Sequence, residues 1–181
     1  MNIVICRAVP ADTVAACELV RNSITELCAA DHNHDEATIS AWLANKTHDN
    51  FARWISSPRH IALVAEKTGV IAGFALLNID GTIALLYVAP QFRFSGVSKA
   101  LLASLEEHAV RLGIIRLTLE SSATALFFYE RCGYSRAGDT VQGFGVTGAY
   151  PLSKSLAPQP HRLTGLAGNE HFLPACPTAG S

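Results

Sequence analysis

The segment QFRFSGVSKALL, Gln91 to Leu102, sets two cations around a glycine at the start of a helical pattern. Arg93 and Lys99 flank Gly96, and no acidic residue occurs from Gln91 to Leu105. An unliganded helix favours acids in its first turn, where unpaired N–H groups and the helix dipole present positive charge. Cations there fit a site that a bound anion completes, and Gly96 lets the backbone come close to it. Spacing alone leaves a second reading open, a surface turn with two solvated bases. Further groups of chemical interest are the phenol of Tyr129 beside Phe127 and Phe128, and the polar run DHNHDE, Asp31 to Glu36.

The elements that must position these groups can be read from periodicity. Asn2 to Ala8 alternates as a first strand. Pro10 and Asp12 open a helix whose apolar positions are Val14, Cys17, Val20, Ile24, Leu27 and Cys28. DHNHDE breaks that helix. A second helical segment carries Ile39, Trp42 and Leu43, a short third spans Phe51 to Ile55, and Pro58 closes the region. Ile61 to Glu66, Val70 to Ile79 and Thr82 to Pro90 read as an antiparallel meander with turns at Lys67–Gly69 and Asp80-Gly81. Its strands are apolar on both faces, so helices are expected to cover both.

The pattern Val97, Leu101, Leu105, Ala109, Leu112 predicts a long helix capped by Gly113. Ile114 to Glu120 follows as a strand, and Ser121 to Gly133 as a helix opened by serine. A helical crossover from Ala89 to Ile114 makes its flanking strands a parallel pair. Two short strands are expected before Leu156. The expected fold is α/β, a mixed central sheet flanked by helices, over residues 1–156, with 157–181 a loose tail of four prolines and three glycines.

LYVAPQFRFSGVSKALLASLEEHA resembles the acetyl-CoA signature of the GNAT superfamily of N-acetyltransferases. The family pattern Q/R-x-x-G-x-G/A is matched by Arg93, Phe94, Ser95, Gly96, Val97 and Ser98. The strand order fits the same fold, ALFFYERCGY (Ala125 to Tyr134) is similar to its second motif, and YPLSKSL (Tyr150 to Leu156) resembles its closing strand. Ser98 stands in place of the last glycine or alanine, and Ser122 in place of an asparagine that contacts the cofactor. Both replacements are mild, because serine is small and keeps a hydroxyl.

The resemblance implies acetyl-CoA as co-substrate, with the amides of Arg93 to Ser98 on its pyrophosphate and Ser122 near by. It implies that Leu86, Tyr87 and Val88 pair with the pantetheine arm, and that a bulge there leaves an N–H to polarise the thioester carbonyl. Tyr129 matches the tyrosine that protonates the departing thiolate, a role open to a neutral phenol. Holding both reactants side by side removes the entropic barrier to their meeting. Thr82 to Ala89 holds no carboxylate, so a base for the amine must come from Glu26, Asp31, His32, His34, Glu120 or a water chain. His32 leads among the side chains on its unperturbed pKa, with Asp31 as charge partner, and a water chain stands level with it. Trp42 and Tyr87 either line an acceptor pocket or pack.

The expected activity is acetyl transfer to a primary amine of a small molecule by direct attack in a ternary complex. Two rivals are acetyl transfer to a protein amine and a non-catalytic acyl-CoA-binding regulatory module on the same fold. The chain has 181 residues, 14 basic against 15 acidic, and a net charge of −1. That length suits one domain, and the charge supplies no basic stripe for nucleic acid. No apolar run approaches the roughly 20 residues of a membrane span. The N-terminus lacks the pattern of a secretory signal, which leaves Asn45-Lys46-Thr47 without a glycosylation role. Five cysteines without a CxxC pair read as reduced thiols in a cytoplasmic protein. A homodimer is compatible with this reading.

Two motifs are set aside. GFGVTG, Gly143 to Gly148, satisfies the dinucleotide fingerprint, but no strand leads into it and Pro151 follows where a helix is required; it reads as a glycine-rich hairpin. Cys28, Asp31, His32, His34, Asp35 and Glu36 could ligate a metal, but their spacing matches no zinc pattern, so no metal is expected.

Overall fold

The computed structural model describes residues 2–143 and 146–157. β1 (Ile3–Arg7) leads through a 3-10 turn at Pro10–Asp12 into α1 (Thr13–Leu27), α2 (Ala29–His32), α3 (Glu36–Leu43) and α4 (His48–Ser56). β2 (His60–Lys67), β3 (Val70–Asn78) and β4 (Ile83–Val88) follow as the meander. α5 (Val97–Arg111) crosses over to β5 (Arg116–Ser121). α6 (Ala123–Arg131) then precedes β6 (Ser135–Arg136), β7 (Val141–Gly143) and β8 (Val146–Ser155). The expected tail from 158 lies outside the described residues.

Local chemistry accounts for the helix boundaries. Asp35 accepts the Thr38 amide (2.8 Å) to start α3, and Thr47 accepts the Asn50 amide (3.2 Å) to start α4. DHNHDE is more structured than expected, since its first half closes the one-turn helix α2. Val14 departs from the expected stripe and is 57% exposed. Two successive steps of three, from Val20 to Cys17 to Val14, lag the 3.6-residue period and carry it off the buried face. The region after α6 holds three strands rather than two, and β8 is ten residues long. Of GFGVTG, Gly143 pairs with Val146 in the antiparallel β7–β8 ladder, and the turn expected at Phe144 and Gly145 lies outside the described residues. Cys17, Cys28 and Cys132 are free thiols, whereas Cys6 is disulfide-bonded and departs from the expectation of reduced thiols. No helix among the described residues is long and apolar enough to cross a membrane.

The strands form two sheets, one ordered β1-β2-β3-β4 and one ordered β5-β8-β6 with β7 also on β8. Among the described residues they join at one parallel bridge, between Thr82 and Thr118, beside a bond from the Thr118 amide to the Gly81 carbonyl (3.0 Å). The parallel relation of β4 and β5 is the one the crossover demanded. Gly81 has φ +93°, and a Cβ there would lie 2.7 Å from the Arg116 carbonyl oxygen, so only glycine lets the hairpin sit against β5. Beyond this bridge β4 and β5 separate. A bulge at Ala84 helps: β3 pairs Leu76 with Leu85 but Leu77 with Ile83. The bulge therefore precedes Leu86 to Val88, whose pairing with β3 is regular, rather than falling among them.

Each face of the first sheet has its own core. Leu63, Ala75 and Leu77 pack with Leu101 and Leu105 of α5, while Val64, Phe74 and Leu76 pack with Val20 and Ile24 of α1 and Phe51 of α4. β3 is apolar at every interior position because helices bury it twice, as its composition required.

Candidate functional site

The separation of β4 from β5 opens a cavity of about 600 Å³. Its walls come from β4, the turn and first residues of α5, the end of β5, α6, and the ends of α1 and α3. The Ala89 amide bonds the Ala72 carbonyl (2.9 Å), so Ala89 points its backbone at β3. Alternation then turns the backbone groups of Leu86 and Val88 into the gap and the Tyr87 side chain to the α1 face.

The start of α5 is built around an absent cap. Gly96 holds φ +88° at the N-cap position and no side chain bonds the first turn. Among the described residues the amides of Phe94, Gly96, Val97, Ser98 and Lys99 have no backbone acceptor, and the first bond of the helix is from the Ala100 amide to Gly96 (3.0 Å). Lys67 brings its ammonium to 3.4 Å from the Ser95 carbonyl. Phe94 is 92% exposed at φ +60°, with the Arg93 guanidinium 4.5 Å above its ring. Gly73 on β3 sets the seat: a Cβ there would come within 2.7 Å of Val97 and 2.8 Å of Leu101. The helix start thus lies directly on the sheet, aiming its amides along the gap. A nest of N–H groups among three cations is an arrangement suited to an anion such as phosphate.

Tyr129 of α6 lies on the other wall, buried with its ring edge-on to Phe128 (5.1 Å) and Tyr134 (5.5 Å). Burial first, and then the Cys132 thiol, raise its pKa, so the phenol holds its proton throughout the physiological range. Across the cavity the Tyr87 phenol is raised chiefly by burial, with the Trp42 indole beside it acting in the opposite direction. Ser122 also lines the cavity, and its hydroxyl accepts the Ala125 amide (3.3 Å) to cap α6.

The polar loop after α1 is disposed differently from its expected roles. His32 is 2% exposed; one ring nitrogen meets the Ile24 carbonyl (3.1 Å) and the other accepts the His34 amide (3.1 Å). Both ring nitrogens are thus engaged by backbone groups, which leaves neither free for an amine. Glu26 is exposed and, like His32 and His34, is not on the cavity wall. Asp31 crosses to α6, where its carboxylate accepts the Ala123 amide (2.6 Å), the Thr124 amide (3.3 Å) and the Thr124 hydroxyl (2.5 Å). Of the five protein groups considered as bases, Glu120 alone lines the cavity. Leu117 and Leu119 face the α5 core, so Glu120 faces the α1 side with Tyr87.

The loop read as a ligand cluster is therefore dispersed: Asp31 holds α6, Asp35 caps α3, and His32 is in its backbone bonds. A different trio, Cys17, Glu18 and His48, lies within 4.8 Å, where His48 pairs with Glu18 (3.1 Å) and Cys17 donates to the Lys46 carbonyl (3.4 Å). Sequence reasoning missed Leu27, Cys28 and Phe92 as wall residues. The break after Cys28 was the available signal, since the last turn of a helix beside a polar loop often faces a site.

Residues 28–150 match the family model of the acetyltransferase (GNAT) domain. An uncharacterised N-acetyltransferase of Mycobacterium tuberculosis is 28% identical over 110 residues, 57% of this chain and 70% of that protein. An IAA acetyltransferase of Azospirillum brasilense is 30% identical over 99 residues, 50% of this chain and 62% of that protein. Among solved structures, a GCN5-related N-acetyltransferase from Rhodopseudomonas palustris superposes with a TM-score of 0.77 at 29% identity, over 86% of this chain and 97% of that one. PaiA N-acetyltransferase from Thermoplasma acidophilum, in complex with coenzyme A, gives 0.74 at 20% identity, over 86% of this chain and 99% of that one, and so shares the fold. With the splayed strands, the uncapped glycine start of α5 and the family match in agreement, this chain belongs to the GNAT family and is an acetyl-CoA-dependent N-acetyltransferase.

Proposed function

We propose that the enzyme moves the acetyl group to the primary amine of a small molecule by direct attack within a ternary complex. The observation that carries this is the course of the cavity. It begins at the free amides of α5, runs through the β4–β5 gap, and ends on the α1 face between Tyr87 and Glu120. Acetyl-CoA would place its pyrophosphate on the amides from Phe94 to Ser98, with Arg93 near by, and its pantetheine against the backbone of Leu86 and Val88. The thioester carbonyl then meets backbone N–H groups fixed before the reaction, as an oxyanion hole requires.

The amine approaches from the α1 face and gives up a proton to Glu120, directly or through water. The base role considered for His32 and Glu26 thus passes to Glu120, the carboxylate with access. Attack on the carbonyl expels the coenzyme A thiolate, which Tyr129 protonates from the α6 wall. Its raised pKa suits a donor that must be neutral when the thiolate leaves.

Coenzyme A release over an amine panel tests the assignment. Tyr129→Phe is expected to lower kcat by about 10²-fold with coenzyme A affinity unchanged within twofold. A wild-type rate in that variant removes Tyr129 from the chemistry. With Tyr129 raised, no loss of rate from its ionisation is expected up to pH 10, and a fall below that pH tracking the phenol would contradict the assignment.

A further inference from the structure

The chemistry of the acceptor wall narrows the amine beyond its size. The two hydrophobic cores divide the cavity lining between them. Val88, Val97 and Tyr129 belong to the α5 side, while Cys28, Trp42, Leu85 and Tyr87 belong to the α1 side, from which an acceptor reaches the thioester. Trp42 is 2% exposed, its indole lies beside the Tyr87 phenol, and both rings line the cavity. Cys28 is pushed up to about 12, by burial first and then by Asp31, so its sulfur is neutral and polarizable beside them. Among the described residues the lining holds one carboxylate, Glu120, against the cations Arg93, Lys99 and Arg131.

This wall discriminates by charge count. A monoamine brings one ammonium, which Glu120 can attract and then deprotonate. A di- or polyamine brings a second, which would lose its water against Leu85, Trp42 and Cys28 with no carboxylate to meet it. A charge stripped of water against apolar surface, with no partner, is strongly disfavoured. A flat ring is favoured in the same place, since aromatic pairs add to ordinary burial when edges and faces meet.

We infer that the acceptor is a primary amine on an aromatic or flat apolar body, an arylalkylamine, rather than a polyamine or a peptide terminus. The inference rests on the acetyltransfer reading above. In it, the indole–phenol pair of Trp42 and Tyr87 and the side chain of Leu27 form the specificity wall, and Glu120 receives the single ammonium.

The test uses the full chain with acetyl-CoA and follows coenzyme A release. 2-Phenylethylamine and tryptamine are set against putrescine, spermidine and an alanine-headed tetrapeptide. At least a tenfold higher kcat/KM for the two aromatic amines is expected. Leu27→Glu, which adds a carboxylate to the partly buried end of α1, is expected to shift the ratio of aromatic monoamine to putrescine at least tenfold toward putrescine. Coenzyme A affinity by calorimetry should stay within twofold. A wild-type preference for putrescine, spermidine or the peptide overturns the inference and leaves acetyltransfer standing. Absence of coenzyme A binding, or of turnover with every amine, overturns the acetyltransfer reading and the inference with it. If Leu27→Glu does not fold, the wild-type ratio decides alone.

Discussion

α5 and α6 both begin at the cavity, yet their first turns are finished in opposite ways. α5 starts at Gly96 with no side-chain cap, no acid in its first turn, and amides open toward the gap. α6 starts with its amides taken: Ser122 accepts from Ala125, and Asp31 accepts from Ala123 and Thr124. A bare helix start is a cost to stability that a bound phosphate removes, whereas a filled one is a fastening. On the proposed reading, the difference separates an end left open for a ligand from one that holds the loop after α1 against the helix that carries Tyr129.

Exchanging these treatments separates binding from folding. The largest effect is expected from Ser98→Glu, which puts an acid at the second residue of α5. Coenzyme A affinity should fall roughly 100-fold by calorimetry, about 2.7 kcal/mol. Stability to urea should meanwhile rise by about 0.5 kcal/mol, because the acid suits the helix dipole. A drop in both would mean that the α5 start is structural only. Next in size is Gly73→Ala, whose Cβ would meet Val97 and Leu101 at 2.7 and 2.8 Å. A loss of about 2 kcal/mol is expected, with coenzyme A affinity down about fivefold as α5 is pushed off the sheet. An unchanged affinity would show that the seat does not aim the amides.

The smallest is Asp31→Ala, which uncovers the α6 start. Denaturation should show a loss of about 1 kcal/mol. KM for the acceptor should rise several-fold while coenzyme A binding stays within twofold. A change confined to coenzyme A would place the fastening on the wrong side of the cavity.

What the sequence made legible follows from the range of the interactions concerned. The uncapped start of α5 is visible locally, as a glycine between cations with no acid for a full turn. The meander is visible because apolar positions occupied both alternating sets. The role of Asp31 is not, since its partners Ala123 and Thr124 lie more than ninety residues away and carry no sign of it. His32 misleads for a related reason. Its composition and neighbour suggest a titrating base, but the turn after α1 folds both ring nitrogens onto backbone groups. Glu120 could be named from residue type but not preferred, because its access depends on where β4 and β5 part. The position of the bulge, at Ala84 rather than beyond it, is set by register with β3, which no single strand encodes.

The bridge at Thr82 and Thr118, the one that joins the sheets among the described residues, makes them a pair of arms on one fulcrum. From Thr82 to Val88 is about 20 Å of extended chain, so a 5° turn at the fulcrum moves the far tip by roughly 1.7 Å on that length. Such a shift exceeds the tolerance for reacting groups, for which about 1 Å can matter. Gly81 and Arg116, neither of which lines the cavity, meet at that fulcrum, so a change in their fit would be felt at its far end.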